Sequence, residues 1–256
     1  MNKILALLFI FIAATQIIFP QESSFYDAPF GGGGGYVGGW IVPNVNGINA
    51  QLKNFGVPNL PSSGFYTSGG SGFIYLGVIP NLRIGGIGFS GSHSTSSTTL
   101  INISESGGPT PTYVNEMKEA IYSLSGGGLT IEYTLPFIKN FGVSLGATIG
   151  RGSLTVQLYK NIGNYDWQYF WQQAENSTSS TFSSSIKNSF WIFNPTLSFD
   201  FPAYHLICIH VGTGYQLTFG DSWTYDNDNK LLNVPWGIRG NSFFIQTGIY
   251  VGLFSF

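Results

Sequence analysis

The sequence predicts an all-β fold, an eight-stranded antiparallel up-and-down β-barrel that spans a membrane, with short turns at one end and long loops at the other. Two observations predict it. Only 9% of the residues are charged and 16% are aromatic, whereas an ordinary soluble domain is about 25% charged. In addition, segments that alternate between apolar and small polar residues recur along the chain, which is typical of strands that separate lipid from a barrel lumen.

The N-terminal segment MNKILALLFIFIAATQIIFPQ predicts a signal peptide. Lys3 provides a short positive region, an apolar run over residues 4–14 follows it, and small residues end the run. The apolar run is shorter than the roughly 20 residues that a membrane-spanning helix needs. We therefore expect a signal peptide over residues 1–21, cleaved between residues 14 and 21, and a single barrel domain over residues 22–256.

Period-two alternation is clearest in FGVSLGATIG, residues 141–150, where odd positions are apolar and even positions are Gly, Ser or Thr. Similar alternation occurs in GGGLTIEYTL (126–135), SFWIFNPTLSFDF (189–201) and LICIHVGTGYQLTF (206–219). A soluble β-sandwich also alternates, but its polar face would carry Lys and Glu. A polar face of Gly, Ser and Thr instead indicates a narrow lumen, with the apolar face in contact with lipid.

Two classes of connection alternate along the chain. Short turns are predicted at residues 79–82, 136–140 and 202–204, and long polar loops at about 43–64, 94–115, 160–185 and 220–240. The first long loop contains VNGINAQLKNF (45–55), whose apolar residues have helical spacing, so we expect a short helix at the outer mouth. The strands between these connections number eight: about 32–42, 65–79, 82–93, 116–135, 141–159, 186–201, 205–219 and 241–256.

The chain ends in GIYVGLFSF, and this ending resembles the C-terminal signature of bacterial outer-membrane β-barrel proteins. Tyr250, Phe254 and Phe256 match its alternating apolar and aromatic positions. The resemblance implies export to the outer membrane, periplasmic short turns and extracellular long loops. It also implies three partners, which are the lipid of the outer membrane, the barrel-assembly machinery and periplasmic chaperones. The alternation of this strand departs from the signature in one respect. Ile249 and Val251, on the face opposite to Tyr250 and Phe254, look more suited to contact lipid. A β-bulge in the strand would reconcile the two assignments.

The glycine clusters have a structural interpretation. Stretches such as FGGGGGYVGGW (30–40) and RIGGIGFSG (83–91) lie inside predicted strands, where glycine lets a sheet bend sharply and lets backbones approach. An eight-stranded barrel has an interior just wide enough for side chains, so the glycines would leave room for inward aromatic residues. The Gly-rich segments also resemble barrel proteins of uncharacterised bacterial families, a resemblance that implies no activity.

Glu132 is the carboxylate at the centre of a clean strand pattern, on the predicted inward face. A charge that faces lipid is costly, so we expect Glu132 in the lumen with a cationic partner, for which Arg83, Arg151 and His210 are candidates. A structural ion pair that fills the lumen and a gate or proton-linked site both remain open. The predicted polar residues of the lumen are Glu132, Arg151, His210 and Gln216.

Catalysis has one weak set of candidates. His93 lies between Ser92 and Ser94 near the predicted outer rim, and Glu105 lies in the adjoining loop. Some eight-stranded barrels hydrolyse or acylate lipid A with His, Ser and an acid at this position, and such a site needs the base next to the nucleophile. Three scattered histidines and a single cysteine give no metal-ligand spacing, so we expect no metal and no cofactor.

Five aromatic residues lie in one predicted outer loop: Tyr165, Trp167, Tyr169, Phe170 and Trp171. They are interpreted either as an aromatic girdle or as a patch that captures a ligand. The net charge of −2 and the absence of a basic run argue against a nucleic-acid partner. We therefore expect a non-enzymatic outer-membrane barrel, either a structural or surface-binding protein or a narrow carrier of small apolar molecules. A lipid-modifying enzyme and a secreted self-associating β protein are the alternatives.

Overall fold

The structure is a computed structural model that describes residues 30–102, 113–136, 141–162, 182–204, 206–226, 228–235 and 237–255. Its strands form one antiparallel sheet that closes on itself, because the first strand pairs with the last and every barrel strand has two neighbours. The predicted eight-stranded antiparallel barrel is confirmed. Its strands are β1 (Phe30–Pro43), β2 (Phe65–Tyr75), β3 (Leu82–Asn102), β4 (Tyr113–Thr134), β5 (Gly142–Asn161), β6 (Phe182–Tyr204), β7 (Ile207–Tyr225) and β9 (Ser242–Ser255). A two-residue strand, β8 (Asn229–Lys230), pairs antiparallel with the outer end of β7.

Alternate residues face opposite sides of the barrel wall, as predicted. On β5, Ser144 and Thr148 are buried in the lumen, whereas Leu145 and Ile149 are about half exposed on the outer surface. On β4, Glu132 is buried while its neighbour Ile131 is exposed. The outward apolar positions therefore form the band that lipid covers, because no other environment compensates their exposure.

The middle strands are longer than the sequence predicted. Residues 94–102 continue β3 and residues 113–115 begin β4, so most of the predicted loop 94–115 is a paired hairpin. Residues 202–204, predicted as a turn, belong to the end of β6 and pair with the start of β7. Ser and Thr dominate the 94–102 segment, and their polarity suggested a loop although β-branched Thr is compatible with a strand.

Glycine permits the tight closure in two ways. A Cβ atom at Gly150 would lie 2.0 Å from the carbonyl oxygen of Gly127 and 2.5 Å from the Cα atom of Gly128, so only glycine allows this approach of two neighbouring strands. A Cβ atom at Gly33 would lie 2.6 Å from the ring of Phe254, so a bare backbone makes room for an inward aromatic residue. Both roles agree with the sequence interpretation.

The helix α1 (Asn46–Phe55) closes the outer mouth, as the helical spacing predicted. It buries Ile48 and Leu52 in the upper lumen and ends at Gly56, whose left-handed backbone returns hydrogen bonds to the last turn. Among the described residues, no helix has both the length and the apolar composition that a membrane span requires. The apolar side chains around α1 form the upper core: Ile41, Val45, Val57, Leu60, Phe65, Ala120, Tyr122, Leu124, Leu154, Val156, Phe190, Ile192, Trp223 and Ile238.

Candidate site in the barrel lumen

An ion cluster crosses the lumen near the end of the barrel that carries the short turns. The Nε atom of Arg83 donates to Glu132 Oε2 at 2.8 Å, and its Nη1 atom donates to Asp200 Oδ2 at 2.5 Å. Arg83 and Asp200 are 1% and 0% exposed. Because β3 and β6 are separated by two strands in the barrel, the Arg83–Asp200 pair joins opposite parts of the wall and obstructs the passage between them.

Strand register explains how these residues meet. Arg83 and Glu132 are direct cross-strand partners on β3 and β4, and Asp200 and His210 are direct partners on β6 and β7. Opposite charges at such positions stabilise a sheet, and inside the lumen they also compensate each other's desolvation. The guanidinium group of Arg83 also lies 4.2 Å from the ring centroid of Phe73, which covers its face.

Hydrogen bonds extend the cluster on both sides. His210 Nδ1 lies 2.7 Å from Asp200 Oδ1, and the amide of Gln246 lies 3.3 Å from His210 Nε2. The imidazole ring of His210 stacks on Tyr250 with 5.0 Å between centroids. Ser198 Oγ donates to Glu132 Oε1 at 3.0 Å, so each carboxylate oxygen of the cluster has a partner, as a buried charge requires.

A chain of hydroxyl groups fills the lumen beside the ion cluster. The Thr134 hydroxyl lies 2.9 Å from the Tyr75 hydroxyl and 2.9 Å from the Ser144 hydroxyl. All three residues are buried. Such a connected network is stabilising only when its members are satisfied, so this level of the lumen is a packed polar layer rather than an open channel.

A small cavity of about 40 Å³ lies between the ion cluster and the upper core. Its polar wall includes Glu132, Thr130, Thr148, Asn194 and His210, and apolar side chains line the rest. A water molecule needs about 10–15 Å³ of such space, so two or three water-sized groups fit. A drug-sized or acyl-chain ligand, which needs a site of about 300 Å³ or more, does not fit.

The upper core is attached to the extended strands by polar contacts from the inner face of β3. Ser97 Oγ donates to the carbonyl of Gly56 at 2.6 Å, and Thr95 Oγ1 donates to the carbonyl of Pro58 at 3.0 Å. Lys118 of β4 lies 5.7 Å from the ring centroid of Phe55. These contacts hold the end of α1 and the following segment against the barrel wall.

A second charged group lies on the outer part of β4, which the length of the strand places beyond the lipid-covered band. Glu116 accepts from Lys160 at 2.8 Å and from Lys118 at 3.2 Å. The hydrogen bond from Lys160, together with Lys118, lowers the pKa of Glu116 below its usual value. The sequence analysis did not identify this group; alternation places Glu116 and Lys118 on one face, but the pairing with Lys160 depends on register.

Three of the four predicted lumen residues are inside the barrel, and one is not. Glu132 and His210 belong to the ion cluster, and Gln216 is 1% exposed with its Nε2 atom donating to the Gly240 carbonyl at 2.8 Å. Arg151 is a correction, because it is exposed on the outer surface with its guanidinium carbon 4.6 Å from the ring centroid of Trp191. Its odd number on β5 gives it the parity of outward Ile149, so alternation alone could have placed it correctly.

The structure does not assemble the candidate catalytic set. Ser92 and Ser94 are exposed on the outer face of β3, whereas His93 between them is half-buried and faces the interior. Adjacent residues of a strand point to opposite sides of the sheet, so the imidazole and the two hydroxyls are on different sides of the barrel wall. Glu105, the acid proposed with them, lies outside the described residues.

The last strand has a regular register. Tyr250 and Phe254 face the lumen and are buried, while Ile249 and Val251 are exposed on the outer surface. The pairing of β9 with β1 and with β7 is continuous, so the β-bulge considered above is absent from these residues. Phe256, the predicted signal peptide and the predicted aromatic patch (Tyr165, Trp167, Tyr169, Phe170 and Trp171) lie outside the described residues.

Asp200 is the site residue for which the sequence analysis assigned no role, although alternation already placed it on the inward face of β6. Its function follows from its partners. Arg83 is 117 residues away in sequence, and His210 is its direct cross-strand partner on β7. In the described part of the chain, no group of three or more His, Cys, Asp or Glu residues is placed to hold a metal ion.

Closure of eight strands, an outward apolar band and a filled lumen define this molecule as a barrel of the outer-membrane type. Aromatic residues such as Trp40, Tyr66 and Trp191 are exposed on the outer surface, and exposed aromatic residues are typical of such barrels. Among solved structures, the chain is similar to the attachment invasion locus protein Ail of Yersinia pestis, with 10% identity, 89% of this chain and 99% of that chain covered, and a TM-score of 0.36.

Two further solved structures are similar over most of their length. A major outer membrane protein from Thermus thermophilus has 9% identity, 89% of this chain and 100% of that chain covered, and a TM-score of 0.43. The outer membrane protease OmpT from Escherichia coli has 13% identity, 92% and 99% coverage, and a TM-score of 0.23. No family model matches the chain, and no curated protein matches it.

Proposed function

We propose that this protein is a non-conducting, non-enzymatic protein of the bacterial outer membrane that acts as a structural or surface-binding barrel. In this proposal, residues 1–21 direct export and are removed. The C-terminal strand is recognised by the barrel-assembly machinery after delivery by periplasmic chaperones. The outer ends of the hairpins then present the surface that a ligand would meet.

The filled lumen is the observation that carries this proposal. The Arg83–Glu132–Asp200 cluster crosses the lumen at one level, and the upper core around α1 fills it at another. The cavity between these two levels of the lumen, about 40 Å³, is far smaller than an acyl chain or another small apolar cargo requires. A carrier role therefore has little support, and the function is assigned to the outer surface.

The length of the strands supports the surface role. Strand β4 has 22 residues, which extend about 70 Å at roughly 3.3 Å per residue. With the usual tilt of about 40° this gives a height of about 55 Å, roughly twice the apolar band of about 25 Å. The outer half of the hairpins formed by β3 with β4 and by β5 with β6 therefore stands outside the lipid.

A planar-bilayer recording tests the proposal. The purified barrel, reconstituted at high copy number beside a porin as the positive control, should give no stepwise current and should not admit small sugars into liposomes. Steady unitary conductance, or saturable uptake of a small apolar molecule, would contradict the proposal. The orientation of the hairpins is tested separately by surface labelling, described in the Discussion.

A further inference from the structure

The outward face of β5 changes from apolar to polar at Arg151. Ile149 precedes Arg151 on this face and Ser153 follows it toward the outer end. The neighbouring strands repeat the change in register, because an apolar cross-strand row lies below Arg151 and a row of serines lies above it. The apolar row is Leu129, Ile149, Phe193 and Leu217, and the serine row is Ser125, Ser153, Ser189 and Ser222. Since lipid covers only the apolar side chains, Arg151 lies where the lipid-covered band ends.

Arg151 is a cation without an acidic partner. It is exposed and forms no ion pair with a described residue. Glu119 is an acid on the outward face of β4, eight positions above Gly127, the cross-strand partner of Arg151. Eight positions on a strand correspond to about 26 Å, which is far beyond the length of an ion pair. The positive charge at the edge of the apolar band is therefore available to a ligand.

Trp191 orients the guanidinium group of Arg151. The two residues are direct cross-strand partners on β5 and β6, and the guanidinium carbon lies 4.6 Å from the ring centroid. Stacking covers one face of the planar group and leaves the N–H donors at its edge available. None of these donors has a hydrogen-bond partner among the described residues. A stacked guanidinium group with free N–H groups suits bidentate binding of a phosphate.

Hydroxyl groups and a second cation continue the polar surface above Arg151. Ser153 and Ser189 are direct partners on β5 and β6, and Ser189 is exposed. Lys187 follows on the same face of β6 and is exposed as well. Among the described side chains of the eight barrel strands, Arg151 and Lys187 are the two cations that face outward. Positive charge on the outer wall is therefore concentrated on two adjacent strands.

We propose that this surface, named here the Arg151 patch (Arg151, Ser153, Lys187, Ser189 and Trp191), binds the phosphate-bearing head group of a lipid in the outer leaflet. The head groups of a bilayer begin where its hydrocarbon core ends, which is the level of Arg151. The acyl chains of the same lipid would cover the apolar row below, whereas a soluble phosphate would gain only the polar contacts. The assignment rests on the outer-membrane location proposed above, but not on the surface role or the filled lumen.

The test measures by native mass spectrometry which lipids the purified full-length barrel keeps when it is released from detergent. The probe is bisphosphorylated lipid A, compared with the same lipid after enzymatic removal of its phosphates. We expect the phosphorylated form to bind on the order of tenfold more tightly, because it accepts charge-assisted hydrogen bonds. Equal retention of the two forms would overturn the proposal. Displacement of the lipid by excess inorganic phosphate would also overturn it, by showing a site for a free anion.

Three substitutions separate a specific site from general attraction by charge. Arg151→Gln should remove most of the preference for the phosphorylated lipid, and Arg151→Lys should keep part of it, because lysine keeps the charge but not the planar fork. Lys230→Gln is the matched control, since it removes an exposed cation of β8 that lies outside the Arg151 patch. It should keep the full preference. An equal loss in Lys230→Gln and Arg151→Gln would contradict the assignment.

The outcome can be interpreted without knowing where the protein resides. Arg151 is exposed, so its variants should fold as the wild-type barrel does. Binding is measured on purified protein, so a barrel without lipid preference refutes the Arg151 patch and leaves the proposed function untouched. The location is decided by surface labelling and the closed lumen by conductance, and neither measurement depends on Arg151.

Discussion

Arg83 is the side chain on which the lumen cluster depends. It is bonded to both Glu132 and Asp200, and removal of one partner from a buried ion pair leaves an uncompensated charge. We expect Arg83→Met to lower the free energy of unfolding by about 3–5 kcal/mol, measured by urea unfolding in lipid vesicles.

Two controls make this prediction specific to the ion cluster. Arg151→Met removes an arginine from the outer surface, where it contacts Trp191, and should cost about 1 kcal/mol or less. In the triple variant Arg83→Met, Glu132→Gln, Asp200→Asn no unpaired charge remains, so most of the lost stability should return. A triple variant as unstable as Arg83→Met would show that packing of the arginine, rather than charge, is what matters.

Arginine substitutions at outward residues of β4 and β3 test where the lipid-covered band ends. Leu129 is 73% exposed and lies five residues from the end of β4, at a height near the middle of the apolar band. Leu129→Arg should therefore destabilise the folded barrel in vesicles by about 2–4 kcal/mol. Ser96→Arg, on the exposed outward face of β3 above the band, should change the free energy of unfolding by less than about 0.5 kcal/mol. Equal costs at the two positions would contradict the placement of the membrane.

The side of the barrel wall that each residue faces could be predicted from the sequence better than the ends of the strands. Alternation placed Leu145, Ile149, Ser144 and Thr148 on the correct sides because lipid and lumen impose opposite polarity. Alternation on β5 also places Arg151 on the outer face. Arg151 was assigned to the lumen only because Glu132 needed a cationic partner. The outer end of β3 was missed because Ser and Thr occupy both of its faces there, and the inner ones bond the backbone after α1, so no polarity contrast marks a strand.

At the level of elements, α1 contributes stability but should not act as a gate by itself. Leu52 is 2% exposed in the upper core, so Leu52→Ala should cost about 2–5 kcal/mol, measured by urea unfolding. The exposed Gln51 of the same helix provides the control, because Gln51→Ala removes no buried group. The Leu52→Ala barrel should still give no current in planar bilayers, since the Arg83–Asp200 pair crosses the lumen below the helix. A conducting Leu52→Ala barrel would show that the upper core is the only barrier.

At the scale of the whole molecule, the architecture could be predicted because each part of the pattern agrees with closure: an even number of strands, alternating connections and glycine where strands approach. The lumen cluster could be predicted only in part. The sequence indicated that Glu132 needs a cation, but Arg83 was one of three candidates, and only the registers of β3 with β4 and of β6 with β7 select it and add Asp200.

The last prediction concerns the orientation of the barrel in the outer membrane. Cys208 is the single cysteine of the chain and is fully buried, so the wild-type protein should resist thiol reagents in intact cells. Ser96→Cys lies on the outward face of β3, about 35 Å in height above the start of that strand, and should react with a membrane-impermeant maleimide on intact cells. Gly77→Cys lies at the opposite end, in the exposed connection between β2 and β3, where an added Cβ meets no atom within 4 Å.

The second variant should therefore react only after the outer membrane is opened, because its thiol would face the periplasm. Reaction of Gly77→Cys on intact cells, with Ser96→Cys protected, would place the long hairpins inside the cell envelope and remove the basis for a surface role. Reaction of both without opening would indicate a barrel that is not held in a membrane. The predicted pattern requires the apolar band, the filled lumen and the extended hairpins together, since a reagent that crossed the lumen would reach both thiols.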